Sequence, residues 1–275
     1  MKITVLVDNN TFIDNYYFGE PGLSFLIEDD GKKILFDTGY SDIYLKNAKK
    51  MNIDLNNIDY LVLSHGHNDH TGGLQYINQI DTSNTTLIAH PGVFAKRNHN
   101  NLEIGCPIEL KDLNIKEYID GTSFCQITNN LYYLGQINKS NDFENRSIGY
   151  LQNGEDDFVK DDTALAYKTK NGLFIITGCS HSGICNIVEQ AKRITNTNKI
   201  DGIIGGFHLL KESSQLDQTI EYFKNENINN LYPCHCVCLR AKAKMMEVTR
   251  VHEVGVGLQL NIEGEWLWHH LIFLK

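Results

Sequence analysis

Short apolar runs separated by polar turns fill most of the chain, and their period changes in a regular way. Residues 1–8 begin with an apolar stretch that reads as a first strand. Residues 23–27 and 33–37 flank Glu28-Asp29-Asp30-Gly31-Lys32, the pattern of two strands around a hairpin turn. Ser41 can cap a helix that runs through Met51, with Ile43, Ala48 and Met51 among its apolar positions. Residues 59–64 carry the unbroken apolar run expected of a strand buried on both faces of a parallel sheet. Thr71-Gly72-Gly73 opens a further helix with Leu74 and Ile77, and residues 85–90 read as another strand.

The second half repeats the alternation. Residues 163–169 and 173–177 form a hairpin around Lys170-Asn171-Gly172. Ile184, Ile187, Val188, Ala191 and Ile194 then recur at helical spacing. A strand at 200–204, a helix at 213–224 with Leu216, Ile220 and Phe223 inside, and a strand at 230–233 follow. Strands alternating with helices in both halves suit a sheet-on-sheet sandwich with helices outside. From about residue 96 to 160 the chain is richer in Asn and polar residues, and its periodicity is weak. This stretch is expected to be an insertion covering the site, as a lid or small subdomain.

Composition narrows the class. The 275 residues, with 41% hydrophobic and 21% charged, suffice for one soluble globular domain spanning 1–275. No stretch approaches the roughly 20 apolar residues of a membrane span, and the apolar start is too short for a signal peptide. A cytoplasmic protein with no membrane partner is expected. The net charge of -9 argues against non-specific nucleic-acid binding. Seven cysteines, with no sign of secretion, are expected as reduced thiols, and Cys106, Cys125 and Cys185 as small buried hydrophobes.

The chemistry concentrates in His65-Gly66-His67-Asn68-Asp69-His70, directly after the strand at 59–64. Residues two apart in an extended chain share a face, so His65 and His67 can grip one ion together. Asp69 and His70 follow the turn and can face a second ion. Imidazole nitrogen with a carboxylate oxygen suits zinc, with manganese or iron the alternatives.

Three further segments occur in order: Lys33-Ile34-Leu35-Phe36-Asp37-Thr38-Gly39, Gly172-Leu173-Phe174-Ile175-Ile176-Thr177-Gly178-Cys179-Ser180-His181-Ser182-Gly183, and Leu231-Tyr232-Pro233-Cys234-His235. With these the chain resembles the metallo-β-lactamase superfamily, whose signature is His-x-His-x-Asp-His. Its Gly-Cys-Ser-His, Ile-Gly-Gly-Phe-His-Leu and Pro-Cys-His-Cys runs are similar to the branch named for a dihydropterin ribofuranosyl-aminobenzene phosphate synthase. The resemblance implies an αββα sandwich and two divalent metal ions. It places His65, His67 and His181 on one ion, and Asp69, His70 and His235 on the other, with His181 as a mere cap of the following helix the other reading of that residue. Cys179 stands where the wider superfamily carries a bridging Asp, as a thiolate ligand or as a bystander. Asp162 stands near the place of another metal-binding His, as a ligand, a partner of one, or a solvated turn carboxylate. Asp37 is expected to support the site from behind its histidines.

Other groups keep two readings. His208, after Gly205-Gly206-Phe207, is a proton donor to substrate or a packed histidine, and the paired glycines leave room for an anion. In an extended segment Cys234, Cys236 and Cys238 would share one face, lining the back of the site or forming a soft-metal or redox site. His90-Pro91 and Lys96-Arg97 follow another strand, and Lys96 and Arg97 suit a substrate phosphate or a solvated basic turn. His99, His252, His269 and His270 lack metal spacing.

These readings converge on a metal-dependent hydrolase that uses a metal-bound hydroxide on a small anionic ester, phosphoester or lactone, with Asp69 and His208 as catalytic residues. One alternative is a pterin-cofactor synthase like the one that names the branch. The other is a non-catalytic metal or redox protein built on the cysteines.

Overall fold

In the computed structural model, residues 1–144 and 146–263 are described. Two seven-stranded sheets form its centre. The first runs in the order Gln259–Asn261, Lys2–Val7, Ser24–Asp29, Lys32–Phe36, Tyr60–Val62, Thr86–Ala89, Glu117–Asp120. The second runs Arg250–Val251, Asn230–Pro233, Ile200–Gly205, Gly172–Thr177, Ala164–Thr169, Leu131–Tyr133, Cys125–Gln126.

The unbroken apolar runs are explained by burial on both faces. Tyr60–Val62 lies parallel between two neighbours, with Leu61 opposite Leu35 and Leu87. Leu61 joins those two residues under the outer helix Ile43–Lys50, while Val62 packs inward with Phe36 and Ile88. Gly172–Thr177 repeats the arrangement. Ile175 faces the helix Ile184–Thr195 on the outside, and Ile176 meets the first sheet's residues on the inside. Burying one such side chain fully is worth roughly 1.5–3 kcal/mol, and alternate residues of each central strand serve different cores. The result is the helix–sheet–sheet–helix sandwich that the sequence implied.

The segment around 96–160 departs from the expected separate insertion. Glu117–Asp120 extends the first sheet beside Thr86–Ala89. Leu131–Tyr133 and Cys125–Gln126 extend the second beside Ala164–Thr169. Only Arg97–His99, Leu102–Glu103 and Tyr150–Leu151 form a small sheet of their own. Strands of two to four residues are too short to show a period, so the pattern could not separate sandwich from accessory here.

Candidate metal centre

The candidate ligands gather from loops that follow strand ends along one rim of the sandwich. Val62 ends its strand, and Ser64 and His65 leave it toward the second sheet. Only glycine fits between His65 and His67, because a Cβ on Gly66 would lie 2.1 Å from the Val93 carbonyl oxygen. Asp37 fixes the rest of the turn. Its carboxylate accepts from the Ser64 N–H at 2.7 Å and the Ser64 hydroxyl at 2.6 Å, and it contacts His70 Nδ1 at 2.6 Å. With Nδ1 so held, His70 Nε2 is left for the centre.

Two adjacent groups of donor atoms result. In the first, His67 Nδ1 lies 3.1 Å from His65 Nε2 and 3.1 Å from His181 Nε2. In the second, His70 Nε2 lies 3.2 Å from His235 Nε2 and 3.2 Å from Cys179 Sγ, and Asp69 Oδ2 is 3.2 Å from His235 Nε2. Cys179 is close enough to count in either: its Sγ falls within 4.8 Å of the ligand atoms of His65 and His181 and of those of Asp69, His70 and His235. The His65 and His70 rings, 4.3 Å apart, join the groups.

This packing fits a cation better than hydrogen bonding. One imidazole nitrogen carries one proton or one lone pair, so His67 Nδ1 cannot satisfy two nitrogen neighbours at once. The other ring nitrogens, His67 Nε2 and His181 Nδ1, are not among these donor atoms and are buried without a hydrogen-bond partner. Burial pushes the pKa of His67 down to about 4 and holds those of His65 and His181 well below the ordinary value. These are neutral imidazoles, the form that binds metal. The second group differs in charge. Burial opposes ionisation of Asp69, but His70 and His235 hold its carboxyl well below the usual range. Burial likewise opposes the His235 cation, yet Asp69 brings its pKa up to about 9.

Several expectations need correction. Asp162 belongs to neither group. Its Oδ2 accepts from the Ser182 N–H at 2.8 Å, and burial raises its pKa to about 7. The ligand and solvated-turn readings of Asp162 both give way to a positioning contact. Lys96 keeps a surface ion pair with Glu103, but Arg97 is no solvated turn residue: it is 1% exposed and paired with Asp161 and Asp157. The paired glycines after Ile204 do not open an anion cradle. Gly206 is packed so that a Cβ would sit 2.5 Å from Cys236 Sγ. Nor do the three cysteines share a face, because His235 has a left-handed φ of 52° that ends the extended run. Cys234 packs between the sheets, Cys236 Sγ accepts from the His208 N–H at 3.3 Å, and Cys238 caps the helix Leu239–Met245.

His208 is at the site, its ring 4.5 Å from that of His181, with a buried Nδ1 that has no hydrogen-bond partner. His90 accepts from the Gly92 N–H through Nδ1, and His252 stacks on Tyr232. His269 and His270 lie outside the described residues. Two supporting residues went unread in the sequence, Asp8 and Asn9. Asp8 accepts the His235 N–H at 2.8 Å, and Asn9 Oδ1 meets His235 Nδ1 at 3.0 Å. Their one signal is a polar pair just after the first apolar strand. Among the described residues, no helix is long and apolar enough to cross a membrane.

Residues 17–192 match the family profile of the metallo-beta-lactamase superfamily. The chain belongs to that superfamily. It is 34% identical to an uncharacterised protein of Methanocaldococcus jannaschii, across 94% of this chain and 100% of the other. It is 32% identical to the 7,8-dihydropterin-6-methyl-4-(beta-D-ribofuranosyl)-aminobenzene-5'-phosphate synthase of the same organism, across 90% of this chain and 91% of the other. Among solved structures, a metal-dependent hydrolase of the beta-lactamase superfamily superposes with a TM-score of 0.82 at 30% identity, covering 96% of this chain and 99% of that one. A zinc-bound PqqB from Methylobacterium extorquens shares the fold, with a TM-score of 0.55 at 13% identity over 95% of this chain and 100% of that one.

Proposed function

We propose that this protein is a binuclear metal-dependent hydrolase acting on a small anionic ester, phosphoester or lactone. The observation that carries the reading is the cluster of donor atoms, in which Asp69 lies within 4.8 Å of ligand atoms of His65 and His67 as well as of His70 and His235, and Cys179 within the same distance of those of His65 and His181 as well as of His70 and His235. His65, His67 and His181 would hold one ion, and Asp69, His70 and His235 the other. Divalent ions held there would supply a water of lowered pKa, toward about 7, and offset charge that develops on the substrate. Zinc is the expected metal, and a sulfur donor beside the second group favours it over manganese, with iron the other alternative.

The chain's own residues supply the rest. Asp69 carries the negative charge of the second group and is placed to orient the attacking oxygen. His208 faces the first group across the His181 ring and can pass a proton to a departing oxygen. Asp37 keeps the His70 Nδ1 occupied, leaving Nε2 for the ion. A net charge of -9 supports a small-molecule substrate rather than a nucleic acid, and a cytoplasmic site of action fits the reduced cysteines. Cys234 and Cys238 turn away from Cys236, so of the four cysteines of the redox reading Cys179 and Cys236 lie together, beside His208.

A second reading is favoured by the 32% identity to the pterin synthase. The same groups would then organise departure of pyrophosphate as a phosphorylated ribose joins an aminobenzoate-like ring. The test loads purified protein with zinc, manganese or iron(II) and offers phosphoesters, lactones, and a phosphoribosyl diphosphate with and without aminobenzoate. Turnover with water as the only acceptor supports the hydrolase. Turnover only when the aromatic amine is present supports the synthase and overturns the hydrolase.

A further inference from the structure

Three consecutive residues, Asp161-Asp162-Thr163, touch both loops that carry the first histidine group. Asp161 Oδ2 accepts from the N–H of Gly66, the residue between His65 and His67, at 2.8 Å. Asp162 Oδ2 accepts from the N–H of Ser182, next to His181, at 2.8 Å. The Thr163 N–H donates to the carbonyl of Ser64, next to His65, at 2.9 Å. All three residues are at most 1% exposed. The second group has braces of its own: Thr38 donates to the His70 carbonyl at 2.8 Å, Leu23 to that of Asp69 at 3.2 Å, and Asp8 holds the His235 N–H, while Asp37 reaches both groups through Ser64 and His70.

Arg97 completes the arrangement from the small three-stranded sheet. Its Nη2 pairs with the other oxygen of Asp161 and donates to the Gly92 carbonyl at 2.9 Å. Its Nε lies 3.3 Å from Asp157. The guanidinium therefore fixes which oxygen of Asp161 is left for Gly66. A buried carboxylate facing a backbone N–H at this distance holds a loop in one position, because losing it strands the N–H.

We infer that Asp161, Asp162 and Thr163, braced by Arg97, are positioning residues that set the metal affinity of the first histidine group separately from the second. The inference rests on the binuclear reading above. Residues behind metal ligands typically contribute roughly 10–100-fold in affinity. Here that contribution falls on one ion of the two.

The test is zinc binding alone, measured by competition with a chromophoric chelator on metal-free full-length protein. Wild type is expected to take up zinc in two steps. Asp161→Asn removes the charge that Arg97 pairs with, and Asp162→Ala removes the Ser182 acceptor without leaving a buried charge. Each is expected to weaken one step by roughly tenfold or more and leave the other within about twofold. Asp8→Asn is expected to weaken the opposite step. Near-ultraviolet dichroism of the metal-free variants checks the fold. Should Asp161→Asn fail to fold, Asp162→Ala carries the test. Equal weakening of both steps, or of neither, overturns the inference while leaving the binuclear reading intact. A wild type that binds zinc in one step overturns the binuclear reading and the inference with it.

Discussion

The two donor groups touch through the His65 and His70 rings, yet they are built from different materials. The first is three neutral imidazoles, buried and braced by Asp161-Asp162-Thr163. The second combines a carboxylate, two imidazoles and the shared Cys179, is partly open at Asp69, and is braced by Asp37 and Asp8. Neutral donors add no net charge to offset that of a cation; a carboxylate does, and Asp69 lies at a partly open edge. On the proposed reading, the first group chiefly fixes geometry, while the second brings the negative charge.

Breaking the first group should have the largest effect. His67→Ala removes one of three neutral donors and is expected to lower kcat/KM about 1000-fold, or about 4 kcal/mol, with loss of one zinc per chain. Unchanged turnover would remove the first group from catalysis. Next comes His208→Asn, expected to lower kcat about 100-fold with zinc content and KM preserved. Lost zinc would mean that His208 is a ligand instead. Asp37→Asn should weaken zinc at the second group roughly tenfold and at the first by less, seen by chelator competition, since it loosens His70 directly and His65 through Ser64. A smaller shift is expected from Cys179→Asp. Replacing sulfur by oxygen should move the preference between zinc and manganese toward manganese by a few-fold, read from competitive loading. No shift would make Cys179 a bystander.

The same contrast explains what could be read from the chain. His65, His67, Asp69 and His70 were legible because a strand and its turn supply them within six residues. His181 and His235 were legible chiefly through the family resemblance of the segments that carry them, helped for His181 by its place after the strand that ends in Thr177. The sandwich itself showed in the double-sided burial of residues such as Leu61 and Val62. The braces were not legible. Asp161 meets Gly66 across 95 positions, and nothing local tells a buried carboxylate from the solvated pair it resembles. Arg97 reads as a surface cation until its ion pairs are seen. The Cys-x-Cys-x-Cys run misled because face-sharing assumes extended backbone, and the positive φ at His235 breaks it. Asp162 misled for a related reason: it stands near a ligand position in the chain, but its side chain turns to the Ser182 N–H.

The claim that two adjacent groups each hold a metal ion is tested most directly by counting. Metal-free protein is reconstituted with zinc, passed over a desalting column and assayed by elemental analysis beside His67→Ala. The account predicts two zinc ions per chain in wild type and one in the variant. One zinc in wild type, or two retained after loss of His67, would contradict it.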